Sequence, residues 1–180
     1  EELIDTLTSF SSRGPRFGDS GLKPEIAAPG FNIISAAMGK GDAAVQMSGT
    51  SMSAPHMAGV MALLVQKFPK LSTKELKALA MNTAKSMDDA EGKNYPIAMQ
   101  GAGRIQVGKA VNTKVIALPG GLSLGDLNIA TKKMVRKKIT LKNISATDLT
   151  LSLKSIKKDL VEVQGVDKIQ LKAGESKTLT

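Results

Sequence analysis

Gly49-Thr50-Ser51-Met52-Ser53-Ala54-Pro55-His56-Met57-Ala58-Gly59 runs directly into the apolar segment Val60 to Phe68. A Gly-Thr turn ahead of a helical run of apolar residues places Ser51 at the mouth of a helix. There its hydroxyl projects outward, and its N–H is among the first-turn donors that no intrahelical acceptor satisfies. One residue then supplies both a nucleophile and an oxyanion donor. The same place also suits a serine that merely caps the helix, because Ser is a preferred N-cap. On these residues alone both readings stay open.

The eleven residues from Gly49 to Gly59 closely resemble the nucleophile motif of the subtilisin-like serine proteases, the subtilases. Ser9-Phe10-Ser11-Ser12-Arg13-Gly14-Pro15 and Lys23-Pro24-Glu25-Ile26-Ala27-Ala28-Pro29-Gly30 resemble the two segments that precede that motif, with Glu25 where Asp is more usual. Leu71 to Ala84 and Gly101 to Val111 resemble the helical segments that close the catalytic domain. The resemblance covers roughly residues 8 to 112. It implies that Ser51 attacks the scissile carbonyl of a protein or peptide substrate, without a cofactor. It also implies an α/β fold, the C-terminal portion of a subtilisin-like parallel-sheet domain. Extracellular or cell-envelope location in a bacterium follows from the same resemblance.

A subtilase also needs a general-base histidine, an aspartate that orients it and an oxyanion asparagine. In the family these precede the serine, and here only fifty residues do. The sole histidine is His56. On a helix it stands about 140° round from Ser51 and about 7.5 Å along the axis, beyond the reach of a base. His56 matches the family's structural histidine. The chain is therefore expected to be an inactive fragment of an endopeptidase, with both ends cut from something longer. Two rivals are a pseudoprotease serving as scaffold or adhesin, and a wall-binding module built on the basic C-terminal region.

Composition narrows the classes. Without Cys there is neither a disulfide nor a thiolate metal site, and one His among scattered carboxylates makes a metal site an unfavoured reading. No segment reaches the about 18 apolar residues that span a membrane. Asp88-Asp89-Ala90-Glu91 reads as a solvated loop rather than a calcium site. Met47, Met52, Met57 and Met61 read as core packing.

Periodicity divides the chain near residue 113, giving a catalytic part over 1–113 and a β part over 114–180. Thr6 to Ser11 reads as a short strand. Phe31 to Ala36 and Ala44 to Ser48 read as strands around the turn Gly39–Asp42, a hairpin that delivers the chain to Ser51. Apolar residues from Ala54 to Phe68 recur over a wide arc, so this helix should be mostly buried. Gly59 inside it suggests a second backbone close by, and Pro69 ends it. Ser72-Thr73-Lys74-Glu75 is a capping box, and Leu76, Leu79, Ala80 and Thr83 continue one face of the next helix. Gly101-Ala102-Gly103-Arg104 matches the family's tight entry to its last helix.

Beyond Asn112 the pattern alternates. Val115–Leu118, Val135–Leu141, Leu149–Leu153, Leu160–Val163, Ile169–Leu171 and Lys177 onward read as strands. Asn143-Ile144-Ser145, Gln164-Gly165 and Ala173-Gly174 supply the turns. A partial β-sandwich is expected, resembling the fibronectin type III-like domain of large cell-envelope subtilases. The Asn-Ile-Ser sequon reads as a turn.

Charge splits at the same boundary: residues 1–113 carry net +2 and residues 114–180 net +7. Lys132, Lys133, Arg136, Lys137 and Lys138 form the densest cluster. The β part holds no aromatic residue, so base stacking is absent and nucleic acid is not the expected partner. Lysines guarding a strand edge are the favoured reading of the cluster. The resemblance implies that most strands of the sheet covering the long helix precede Glu1, so this helix is expected to drive self-association or pairing with the upstream part of the parent protein.

Overall fold

A computed structural model describes residues 5–124, 135–154, 157–158, 161–162 and 168–179. The described strands and helices run, in chain order, β1 (Ile33–Ala36), β2 (Ala44–Met47), α1 (Thr50–Lys67), α2 (Thr73–Asn82), α3 (Ile97–Gln100) and α4 (Val107–Asn112). Then follow β3 (Val115–Leu118), β4 (Ile139–Asn143), β5 (Leu149–Ser152), β6 (Lys157–Lys158), β7 (Val161–Glu162), β8 (Lys168–Leu171) and β9 (Ser176–Leu179). The mixture of helices and sheets is that of an α/β protein. All strand pairs among the described residues are antiparallel, and the one parallel pairing is the bridge between Ala27 and Arg104.

β1 and β2 form the expected hairpin, with Ile33 opposite Met47 and Ala36 opposite Ala44. Thr6 to Ser11, by contrast, is irregular rather than a strand. Among the described residues no strand ladder includes it, and alternation alone does not make a strand.

α1 departs most from expectation. Only Val60 and Leu64 are buried, with Met57, Met61 and Phe68 half-buried on the same side. Ala54, Ala58, Leu63 and Val65 are exposed. The apolar residues encircle the helix, whereas α2 and α4 pack along one side of it. Among the described residues no heavy atom lies within 4 Å of the position a Cβ would take at Gly59, so none of their backbone crosses there. Met47 is half exposed as well, so the four methionines are not a common core.

α2 follows its sequence closely. The Ser72 N–H donates to Glu75 Oε2 at 2.7 Å, and the Glu75 N–H donates back to Ser72 Oγ at 3.4 Å. Leu76, Ala78, Leu79 and Ala80 are buried. With Val60, Leu64, Ile105, Ala110 and Ile116 they form the first core.

Ile116 belongs to β3, and this makes β3 a shared wall. Ile116 and Leu118 face the helices, whereas Val115 and Ala117 face the second core of Leu141, Ile169 and Leu171. The period of two in a strand produces this division. The Ala117 N–H donates to Asn82 Oδ1 at 2.8 Å, tying β3 to the end of α2. Lys142 on β4 reaches Glu75 of the capping box at 2.5 Å.

The second core lies between the three-stranded sheet β3-β4-β9 and the pair β5-β8. β4 occupies Ile139–Asn143 rather than Val135–Leu141, because its register is set by β3 and β9 on its two sides. Arg136, Lys137 and Lys138 therefore lead into a central strand and guard no edge. Lys132, Lys133 and the turn Gln164-Gly165 lie outside the described residues. Asn143 is fully buried, and its amide donates to Thr147 O at 2.8 Å and Lys172 O at 2.9 Å. Its Oδ1 accepts from the Ser145 N–H at 2.9 Å, so the Asn-Ile-Ser triplet is a turn anchored by its buried Asn.

Candidate active site

The segment around Ser51 is held by backbone before any side chain is considered. β2 ends at Met47, and Gly49 then takes φ 155° as the residue preceding the helix. Its N–H donates to Gly30 O at 2.8 Å, and its carbonyl accepts from the Met52 N–H at 3.0 Å. Ser48 Oγ accepts from the Asn32 N–H at 2.8 Å, closing the base of the hairpin.

Thr50 opens α1, and Ser51 is its second residue and exposed. Gly49, not Ser51, is the N-cap, and no side chain caps the helix. The capping role therefore does not describe Ser51. Neither its hydroxyl nor its N–H has a hydrogen-bond partner among the described residues, and no acidic residue occupies the first turn. Pro55 has no N–H to offer the Ser51 carbonyl four residues earlier. A first turn with free N–H groups carries the positive end of the helix dipole, which favours a developing oxyanion.

Ser53 is the residue that sequence reading passed over. Its Oγ donates to Ala28 O at 3.0 Å, fastening α1 to the loop Ala28-Pro29-Gly30. A Cβ at position 30 would lie 2.2 Å from Ser53 Oγ and 2.8 Å from Gly49 O. Gly30 is thus required by the close approach, and Ala28, two residues before it, supplies the acceptor. The Pro-Gly pair 22 residues before Ser51 was the available signal.

His56 lies on α1 with Ser51 and is exposed, so helix geometry keeps the two apart. Beside this site a cleft of about 580 Å³ is lined by Phe10, Ile26, Ser53, Met57 and Met99, and Ser51 is not among its lining residues. At its edge Asp5 accepts from Lys85 Nζ at 2.9 Å and lies 2.5 Å from Arg104 Nε. The Lys85 hydrogen bond, followed by Arg104, outweighs partial burial and holds the Asp5 carboxyl below its ordinary range.

The loop 88–94 stitches itself together. Asp89 Oδ1 accepts from the Lys93 N–H at 2.7 Å, and Asn94 Nδ2 donates to Asp88 Oδ1 at 3.0 Å. Buried Gln100 joins in, accepting from the Met87 N–H at 2.7 Å and donating to Tyr95 O at 2.6 Å. Among the described residues no group of three His, Asp or Glu side chains converges as a metal site would require. No helix among them is long and apolar enough to cross a membrane.

The subtilase family model, that of peptidase family S8, matches residues 4–103. The chain belongs to the subtilase family. Among curated relatives, the minor extracellular protease Vpr of Bacillus subtilis is 38% identical over 131 residues, covering 68% of this chain and 16% of Vpr. The serine protease AprX of the same organism is 38% identical over 120 residues, covering 59% of this chain and 26% of AprX. The subtilisin-like protease SBT5.3 of Arabidopsis thaliana is 35% identical over 130 residues, covering 61% of this chain and 17% of that protein. This subtilase sequence thus spans between about a sixth and a quarter of the length of these relatives.

Proposed function

We propose that these 180 residues are the serine-bearing part of a subtilisin-like endopeptidase, with Ser51 as the nucleophile. Ser51 Oγ attacks the scissile carbonyl of a protein substrate and its proton passes to a histidine base. The amine leaves carrying that proton, and water then hydrolyses the acyl-enzyme. The base, its orienting aspartate and the oxyanion asparagine come from sequence outside these residues, since His56 sits on the same helix as Ser51. The observation that carries this reading is an exposed Ser51 in a first turn with its own N–H free, on a turn pinned to Gly30.

Residues 1–113 are assigned to the catalytic domain and 114–180 to an incomplete fibronectin type III-like β-sandwich. Two small sheets facing each other across Leu141, Ile169 and Leu171 support the second assignment. The bare side of α1 supports association with a second copy or with the upstream part of the parent. A location outside the cell or in a bacterial envelope is supported by the relative named as an extracellular protease.

A fluorophosphonate probe tests the assignment. The isolated chain should not be labelled at a serine-protease rate, because in subtilisin loss of the histidine alone lowers turnover by about 2 × 10⁶. The full-length protein should be labelled, and Ser51→Ala should abolish the label. Rapid stoichiometric labelling of the isolated chain would place a base within it. A full-length protein that never labels would instead be a pseudoprotease.

A further inference from the structure

Away from Ser51, a cleft of about 940 Å³ lies between α2, the end of β3 with the segment Pro119–Ser123 that follows it, and the start of β4. Its walls include Leu22, Met81 and Leu118, and at its edge Ile97 and Leu122 are 60% and 41% exposed. Its charged side chains are Glu25, Lys74, Glu75, Lys77 and Lys138, and the rest of its lining is mostly apolar.

The charged groups in the cleft fall into two sets. Both carboxylates are occupied: Glu25 by Lys77 at 2.6 Å and Lys23 at 2.9 Å, and Glu75 by Lys142 at 2.5 Å. The ammonium groups of Lys74 and Lys138 have no acidic partner among the described residues, and both are exposed. Exposed Arg136 and Lys137 lead directly into Lys138. An approaching anion therefore meets unpaired cations above an apolar floor, with the nearby carboxylates already neutralised.

We propose that this cleft binds an acidic peptide segment bearing a large apolar side chain, which packs against Met81 and Leu118 while its carboxylates pair with Lys74 and Lys138. A polyanion is the poorer fit. It gains from the lysines but nothing from the apolar walls, and no aromatic ring lines the cleft for a base to stack upon. A purely apolar segment leaves the lysines unused. The site is independent of the assignment of Ser51, so either reading can fail without the other.

Fluorescence anisotropy of the 180-residue chain with a labelled peptide of alternating Glu and Leu provides the test. Binding should be saturable and weaken with added salt. Replacing Leu by Ser in the peptide should weaken it by about tenfold or more, since the burial of large apolar side chains is lost. The double variant K74E/K138E should also lose about tenfold or more, whereas Lys40→Glu on the β1–β2 turn should lose nothing. Equal binding of the Ser-substituted peptide or of polyphosphate overturns the proposal, as does equal loss in Lys40→Glu. NMR shift mapping on the unaltered chain needs no variant. Perturbations should centre on Met81, Leu118 and Lys74, and a map confined elsewhere refutes the site.

Discussion

α1 and α2 sit side by side in one core, yet they meet opposite fates. α1 is 18 residues long, apolar around its whole circumference, and buries Val60 and Leu64 alone. α2 has 10 residues, is polar on one face, and buries four. A helix that is apolar all round belongs in the middle of a larger structure. A helix with one apolar face needs one neighbour, and α2 has it in β3. Burial in this molecule follows the supply of partners, not the amount of apolar sequence. The well-covered helix carries no proposed catalytic residue, while the half-covered one presents Ser51.

The largest test of this contrast sets Ile116 against Val65. Ile116 is fully buried in the first core, and its strand neighbours Val115 and Ala117 line the second. Ile116→Ala should therefore destabilise by about 2–5 kcal/mol, loosening both cores in one transition. Val65 is 51% exposed on α1. Val65→Ser should stay within about 0.5 kcal/mol while reducing any self-association. Urea unfolding and light scattering separate the two. If Ile116→Ala melted only one part of the chain, β3 would not be a shared wall.

Glu75 gives a smaller effect with a defined pH signature. The hydrogen bond from Lys142, followed by that from the Ser72 N–H, pulls its carboxyl from the ordinary 4.5 down to about 2. A depressed carboxyl stabilises the folded state above its unfolded value, and that stabilisation fades as pH falls from about 4.5 towards about 2. Glu75→Gln weakens both the cap and the ion pair, and should cost about 1–2 kcal/mol at neutral pH. The gap between wild type and variant should shrink steadily on acidification. A gap that does not change with pH would mean that Lys142 contributes nothing through charge.

Local chemistry made much of this legible. The capping box at Ser72, strand β3 over Val115–Leu118 and the Gly-Thr approach to Ser51 are set by neighbours in sequence, and each appears where its residues indicate. What depends on distant partners was not legible. Thr6–Ser11 has the alternation of a strand, yet no strand ladder among the described residues includes it. Val135 to Leu141 reads as one strand, yet β4 begins at Ile139, where its pairing with β3 and β9 begins. Ser53 reads as one more polar residue in a helix until Ala28 is brought beneath it. Glu75 reads as a cap, and only the fold adds Lys142.

Gly59 offers the finest test, because the sign of the effect carries the answer. In the interior of a helix Gly is disfavoured against Ala by about 1 kcal/mol, and among the described residues nothing occupies the space its Cβ would fill. In the isolated chain Gly59→Ala should therefore raise stability by up to about 1 kcal/mol, seen as a higher urea midpoint with an unchanged slope. If α1 is covered in the full-length protein or in a self-associated form, the added methyl meets that cover, and overpacking costs about 1–3 kcal/mol. The same substitution should then stabilise the isolated chain and weaken the assembled one. Stabilisation in both would mean that no surface ever approaches α1 at Gly59. Destabilisation of the isolated monomer would mean that a second backbone crosses the helix after all, as the sequence alone suggests.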